Sequence, residues 1–291
     1  MTSHPIHPDG PTLSRIIAGA WRWHSVSAEQ VDRLIQTSLD EGITSFDHAD
    51  IYGDHGNEAI FGQSLKRNPS LRSRMQLITK CGIKFPSAHR PATWIKHYDT
   101  SKEHIQWSAE NSLKMLGTDH IDVLLIHRPD PLMHPAEMAE AFLRLRKEGK
   151  VLHFGVSNFT PTQFRMFQSY LDFPLITNQI EISLNRIDSL FNGDLDTAIE
   201  FKASPMAWSP LGGGKPLMVD EREVFGKAAR YNASYTQLAL AWLMKHPAFI
   251  FPIIGTTKPE RIKEAAWSTQ VNLDRQDWFE MLKWVMGKEM P

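Results

Sequence analysis

The sequence predicts a (β/α)8 TIM barrel, and three observations carry the prediction. Eight short apolar runs alternate with amphipathic stretches of helical period, the count such a barrel needs. Most of the runs are continuously apolar rather than alternating, as parallel strands buried on both faces require. No linker, repeat or low-complexity tract interrupts the 291 residues, so a single domain over 1–291 is expected.

The elements follow in order. RIIAGAW (15–21) is the first strand, and SAEQVDRLIQTSLDEG follows as a helix with Ser27 placed to cap its start and Gly42 near its end. ITSFDHA (43–49) precedes NEAIFGQSLKR. MQLITKCG (75–82) precedes SKEHIQWSAENSLKMLG, in which Ile105, Ala109, Leu113 and Leu116 share one face and Gly117 is the stop. IDVLLIH (121–127) leads to HPAEMAEAFLRLRKEGK, VLHFGVSN (151–158) to PTQFRMFQSYL, and LITNQIEIS (175–183) to LDTAIEFKA. After PMAWSP (205–210), GGGKPLMVDEREVFGK (212–227) reads as a long loop with an extra helical turn, before the helix SYTQLALAWLMKH. FIFPIIGT (249–256) runs into KPERIKEAAW, and RQDWFEMLKWVM (275–286) is expected to pack outside.

Composition narrows the function classes. Lys and Arg number 32 against 33 acids, which argues against bulk electrostatic binding to nucleic acid or an anionic membrane. Cys81 is the single cysteine, so neither an internal disulfide nor a thiolate metal cluster can form, and no metal site is expected. MTSHPIHPDGPTL lacks the basic and apolar regions of a signal peptide, and no run reaches the roughly 18 apolar residues of a membrane span. The expectation is a reduced, soluble, cytoplasmic protein of unspecified oligomeric state.

In a barrel of this kind the active site lies where strands end and loops begin. Asp47 ends the second strand with Tyr52 in the loop behind it, Lys80 ends the third and His127 the fourth, so the four should converge on one wall. A tyrosine near its reference pKa of about 10 is a poor acid or base at neutral pH, and a neighbouring ammonium is expected to lower it. Lys80 supplies that ammonium, Asp47 holds it, and His127 is placed to meet a substrate oxygen. Each residue alone is open to a plainer reading: Asp47 with Lys80 as a buried ion pair, Tyr52 as a loop aromatic, His127 as a cap partner or core histidine. Together they make a device for protonating an oxygen that gains negative charge, as a carbonyl does on accepting a hydride.

The remaining strand ends suit a cofactor. Ser157, Asn158 and Gln179 can pair with a carboxamide such as that of nicotinamide, and Trp208 offers a flat face for its ring. Ser209, Leu211 and the run from Gly212 to Gly214 offer backbone amides to a pyrophosphate. Lys258 and Arg261 flank a helix start, a ready phosphate site, although a glycine run is a weak signal and no GxGxxG fingerprint is present.

FDHADIYG with NEAIFG, the lysine of ITKCG, LGTDHIDVLLIHRPDP, GKVLHFGVSNF, TNQIEIS, AWSPLGGG and IIGTTKPERI resemble, in order, the successive motifs of the aldo-keto reductase superfamily. The resemblance covers roughly residues 13 to 285. It implies a barrel that binds NADPH/NADP+ across its mouth and reduces aldehydes or ketones, with a catalytic tetrad at Asp47, Tyr52, Lys80 and His127 and Tyr52 as general acid. Cofactor contacts fall on Gly19, Ala20, Ser157, Asn158, Gln179, Trp208, Ser209, Leu211, Gly212, Gly255, Thr256, Thr257, Lys258, Arg261 and Glu264. Trp21 matches a position that lines the substrate pocket in relatives, and Trp23, Ile51 and Arg128 join it as candidate substrate contacts by nearness in sequence; packing under a loop is the plainer reading of either tryptophan.

Some positions depart from the pattern. His48 stands where the superfamily commonly has threonine. Gly255 replaces a lysine that in many members grips the 2′-phosphate, for which Lys258 and Arg261 are the substitutes. Ala265 replaces an asparagine near the adenine, and against many mammalian members the long C-terminal loop that closes the pocket is expected to be missing after the last helix, with an open substrate site as the expected result. Two other readings compete: Lys80 as a Schiff-base nucleophile of an aldolase, and a cofactor-binding redox sensor with little turnover.

Overall fold

The structure, a computed structural model, describes residues 3–215 and 221–288. Eight parallel strands close into a barrel: β3 (Ile17–Gly19), β4 (Ser45–Asp47), β5 (Gln76–Cys81), β8 (Ile121–Ile126), β9 (Val151–Ser157), β10 (Leu175–Glu181), β11 (Met206–Trp208) and β12 (Phe251–Ile254), β12 pairing with β3 to close the ring. Each lies inside one of the eight apolar runs. Helices α1 (Ala28–Asp40), α2 (Asn57–Arg67), α3 (Lys102–Leu116), α4 (Pro135–Lys147), α5 (Pro161–Gln168), α6 (Asp194–Glu200), α8 (Tyr235–Met244) and α9 (Pro259–Trp267) follow the strands in turn.

Local chemistry sets the helix ends. Ser27 and Gln30 form a reciprocal capping box on α1, Ser101 accepts from His104 N to cap α3, and Gly117 stops α3 in the left-handed conformation at φ 67°. The apolar stripes of α1 and α2 pack with Phe46 and Leu77 outside the barrel wall. Phe142, Phe154 and Phe167 do the same for α4 and α5.

Gly62 marks the tightest approach between helices. A Cβ there would lie 2.1 Å from the Met115 carbonyl oxygen of α3. Backbone, not a flexible side chain, would have to move. Gly62→Ala is therefore expected to cost about 2–3 kcal/mol, read as a lower urea midpoint with an unchanged m-value.

Three features lay outside the sequence reading. A hairpin of β1 (Ser3–Pro5) and β2 (Thr12–Ser14) plugs the end of the barrel where the strands begin. Its Ile6 and Leu13 are fully buried against Ile17, Ile78, Val123 and Phe251, and its backbone and Ser14 hydroxyl bond residues 204, 44 and 45 at strand starts. That leaves the opposite end as the open mouth. A second hairpin, β6 (Ile83–Lys84) with β7 (His97–Tyr98), stands beside the mouth after β5. The stretch after β11 holds a full helix, α7 (Glu221–Arg230), rather than a turn, tied by Lys227 to Asp277 of α10 (Arg275–Met286) at 2.6 Å. The centre of the expected long loop, residues 216–220, lies outside the described residues.

Candidate active site

At the mouth, β4 ends on Asp47, whose register partner on β5 is Ile78, and Lys80 follows two residues later on the same side of the strand. Lys80 Nζ donates to Asp47 Oδ2 at 2.7 Å, to the His48 carbonyl at 2.7 Å and to Tyr52 OH at 3.1 Å. Three acceptors use all three ammonium hydrogens. Gln179 of β10 donates to the other Asp47 oxygen at 2.9 Å, so the carboxylate is gripped from both sides. His127, just past β8, faces the Tyr52 ring edge-on with centroids 6.0 Å apart, and its Nδ1 is buried without a partner.

Tyr52 reaches this point because the loop behind β4 doubles back. Gly53, Asp54 and His55 all have positive φ, and a Cβ on Gly53 would meet His24 at 2.6 Å, so glycine is required there. The loop is pinned by Asp50 N to the Lys80 carbonyl, by the His55 ring to the Asp50 carbonyl, and by Ser108 Oγ of α3 to the Asp50 carboxyl at 2.7 Å. Asp50 is a buried tether of this loop.

The electrostatics correct one expectation. Burial pushes the Tyr52 phenol above its ordinary value of 10, and the Lys80 charge opposes that rise without reversing it. The phenol is thus a stored acid at neutral pH rather than one already lowered towards ionisation. Burial pulls the Lys80 ammonium down, but Asp47 and Tyr52 more than restore it, and its pKa ends above 10.5. A lysine held that firmly as an ammonium is a poor Schiff-base nucleophile. His127 is driven well below 6.5, first by burial and then by Lys80, Arg128 and Lys96, so its ring is neutral.

His48 is fully buried with both ring nitrogens unpartnered, its ring edge-on to Phe61 at 4.4 Å. Burial, then Lys80, pushes its pKa down to about 3. It contributes its carbonyl to Lys80, while nothing explains the imidazole itself.

Burial, with Glu58 nearby, pushes Asp50 up to about 7 from 3.8. A carboxyl whose folded pKa is raised gives stability that is full below about 4 and lost as pH rises to about 7. The gap of about three units is on the order of 4 kcal/mol. His48, shifted down, gives stability that is lost as pH falls below 6.5, so the two mask each other in the wild type. Asp50→Asn removes only the first. Its stability relative to wild type is expected to rise by a few kcal/mol from pH 4 to pH 8 in urea unfolding, and a flat difference would contradict the assignment.

The predicted cofactor positions divide. Asn158, at φ 60°, donates to Ser157 Oγ at 2.7 Å and accepts from Trp208 Nε1 at 2.9 Å, so it fixes the indole. Ser157 donates to the Gln179 carbonyl. The capacity left on Asn158 Oδ1 and Gln179 Oε1 is acceptor, which suits a carboxamide NH2. Ser209 is left-handed and Gly212–Gly214 has φ of 63°, 68° and 85°, a run open to glycine. Among the described residues no atom lies near a notional Cβ on Gly213, Gly214 or Gly255. Leu211 packs its side chain against the core.

Thr256 accepts from Lys258 N, Thr257 lies beside it half-buried, and Lys258 and Arg261 are exposed at the start of α9. Glu264 instead holds Ser234 and, through its carbonyl, Gln237 at the start of α8. Gly19 and Ala20 are both buried, Gly19 against Ile253, and the Ala20 N–H and carbonyl are used by Asp47 and Asn57. Arg22, absent from the sequence reading, donates to the Gly255 carbonyl at 3.2 Å and puts a guanidinium beside the missing lysine's position.

On the substrate side, Trp21 is 55% exposed and Ile51 half-buried. Trp23 is corrected: it is 2% exposed, packs on Phe46 and Phe61 and donates to the Thr256 carbonyl. Arg128 is half-buried and lies over the Trp208 ring, 5.4 Å from the centroid. Among the described residues no group of three His, Cys, Asp or Glu could hold a metal, and no helix is long and apolar enough to cross a membrane.

Residues 15–284 match the model of the Aldo/keto reductase family. The chain is 46% identical to the oxidoreductase YdhF of Escherichia coli over 98% of both chains, and 46% identical to the uncharacterized oxidoreductase YcsN of Bacillus subtilis over 96% of both. It is 45% identical to a 6-dehydroglucose reductase of Agrobacterium fabrum, again over 96% of both. The crystal structure of the thermostable aldo-keto reductase Tm1743 superposes with a TM-score of 0.85 at 23% identity, covering 97% of this chain and 99% of that one. The chain belongs to the aldo/keto reductase family.

Proposed function

We propose that the chain is an NADPH-dependent carbonyl reductase that converts aldehydes or ketones to alcohols, with Tyr52 as general acid. The observation that carries this is the Lys80 ammonium, whose third hydrogen goes to Tyr52 OH while Asp47 and the His48 carbonyl take the others. Bound NADPH supplies the hydride that the carbonyl carbon accepts. Tyr52 then gives its proton to the oxygen as that oxygen gains charge, and His127 donates a ring N–H to the same oxygen. Lys80 stabilises the phenolate left behind, Asp47 keeps Lys80 charged and aimed, and solvent returns the proton. Burial keeps the phenol protonated until it is needed.

Ser157, Asn158, Gln179 and Trp208 support a nicotinamide seat, and the open glycine run supports the pyrophosphate. Lys258, Arg261 and Arg22 are the cations available to a 2′-phosphate. The test is carbonyl-dependent oxidation of NADPH and of NADH across a panel that includes 6-dehydroglucose, the compound for which one relative is named. The expected result is turnover with a strong NADPH preference. Equal efficiency with NADH would remove the 2′-phosphate assignment. Tight NADPH binding without turnover above the Tyr52→Phe level would replace the reductase with a redox-sensing module.

A further inference from the structure

Arg128 is a cation at the mouth that the reaction, as derived above, does not use. It sits just beyond β8, four strands round the ring from β12, so it is diametrically opposite the strand that leads to Lys258 and Arg261. From there it reaches across the opening to lie over Trp208 of β11. No carboxylate pairs with it among the described residues, and none pairs with Lys96, exposed at the edge of the β6–β7 hairpin. Asp47 neutralises Lys80. The charges that bear on His127 are nevertheless all cationic, from Lys80, Arg128 and Lys96, and Tyr52 feels Arg128 as well. Tyr52 also feels the Asp47 carboxylate, so the cations left over at the rim are Arg128 and Lys96, with the Arg128 guanidinium already ordered on an aromatic face.

An arginine with five donors and no acid partner suits a planar carboxylate, which it can bind through two parallel hydrogen bonds. A role on the cofactor phosphates would place it on the far side, near α9. We propose that Arg128 selects carbonyl substrates that carry a carboxylate, holding that group while the carbonyl oxygen lies between Tyr52 and His127. This rests on the reductase reading and names its substrate class. Lys96 adds long-range attraction, so the preference weakens as salt rises.

The experiment compares 4-carboxybenzaldehyde with methyl 4-formylbenzoate, in which a methyl ester removes the charge of the remote group. The acid is expected to have a kcat/KM about tenfold or more above the ester in the wild type. In Arg128→Gln that ratio falls to about one, and Arg128→Lys recovers part of it. The Kd for NADPH, from fluorescence titration, tracks neither change. An unchanged ratio in Arg128→Gln, or a loss explained by weaker NADPH binding, overturns the proposal. A second arm titrates benzoate and benzamide calorimetrically into the protein with NADP+. Absence of turnover with every carbonyl would sink the reductase reading, and this arm would still decide the anion site. Benzoate binding weakened about tenfold in Arg128→Gln supports it, and unchanged binding overturns it.

Discussion

Tyr52→Phe is expected to lower kcat/KM for carbonyl reduction by about 100- to 10,000-fold, the usual contribution of a positioned general acid. The substitution removes one oxygen. That oxygen makes a single hydrogen bond, to Lys80, which keeps its two other acceptors. The ring keeps its edge-on packing with His127. Fold and NADPH affinity should therefore survive, and the loss should fall on kcat rather than on Kd for the cofactor. Fluorescence titration beside steady-state kinetics reads both. A Tyr52→Phe protein with more than a tenth of wild-type kcat would show that the proton comes from elsewhere.

Lys80→Met should be damaging in a second way. Lys80 is fully buried, and its ion pair with Asp47 is the only neutralisation that carboxylate has among the described residues. Removing one partner strands a buried charge, at about 3–5 kcal/mol. Asp47→Asn in the same protein removes that charge, so the double variant should recover most of the stability while remaining inactive. Loss of stability that Asp47→Asn does not relieve would mean that lysine packing, rather than charge, holds the site together.

The barrel was legible because parallel strands buried on both faces leave continuous apolar runs, and because Ser27 and Gly117 mark helix ends by local chemistry. The N-terminal hairpin was not. Its strands are three residues long, and only contact with Val123 and Phe251 makes Ile6 and Leu13 core residues. At the site, strand ends located Asp47, Lys80 and His127, since position along a strand fixes which end of the barrel a residue reaches. Properties set by distant partners stayed hidden. Gln179 meets Asp47 across 132 residues, and Asp50 meets Ser108 on another helix. The Tyr52 shift was misread because sequence shows the lysine neighbour but not the burial that outweighs it. Trp23 was misplaced because one residue of rotation separates the exposed Trp21–Arg22 edge from the core.

The central claim is that this site delivers a proton to a carbonyl oxygen as its carbon is reduced by bound NADPH. Incubating the protein with NADPH deuterated at both C4 positions and a carbonyl substrate, then analysing the product by mass spectrometry and NMR, tests it most directly. The account predicts an alcohol with one deuterium on the former carbonyl carbon, formed by the wild type and nearly abolished by Tyr52→Phe. NADPH consumed without deuterium in the alcohol, or equal labelling by both proteins, would contradict it.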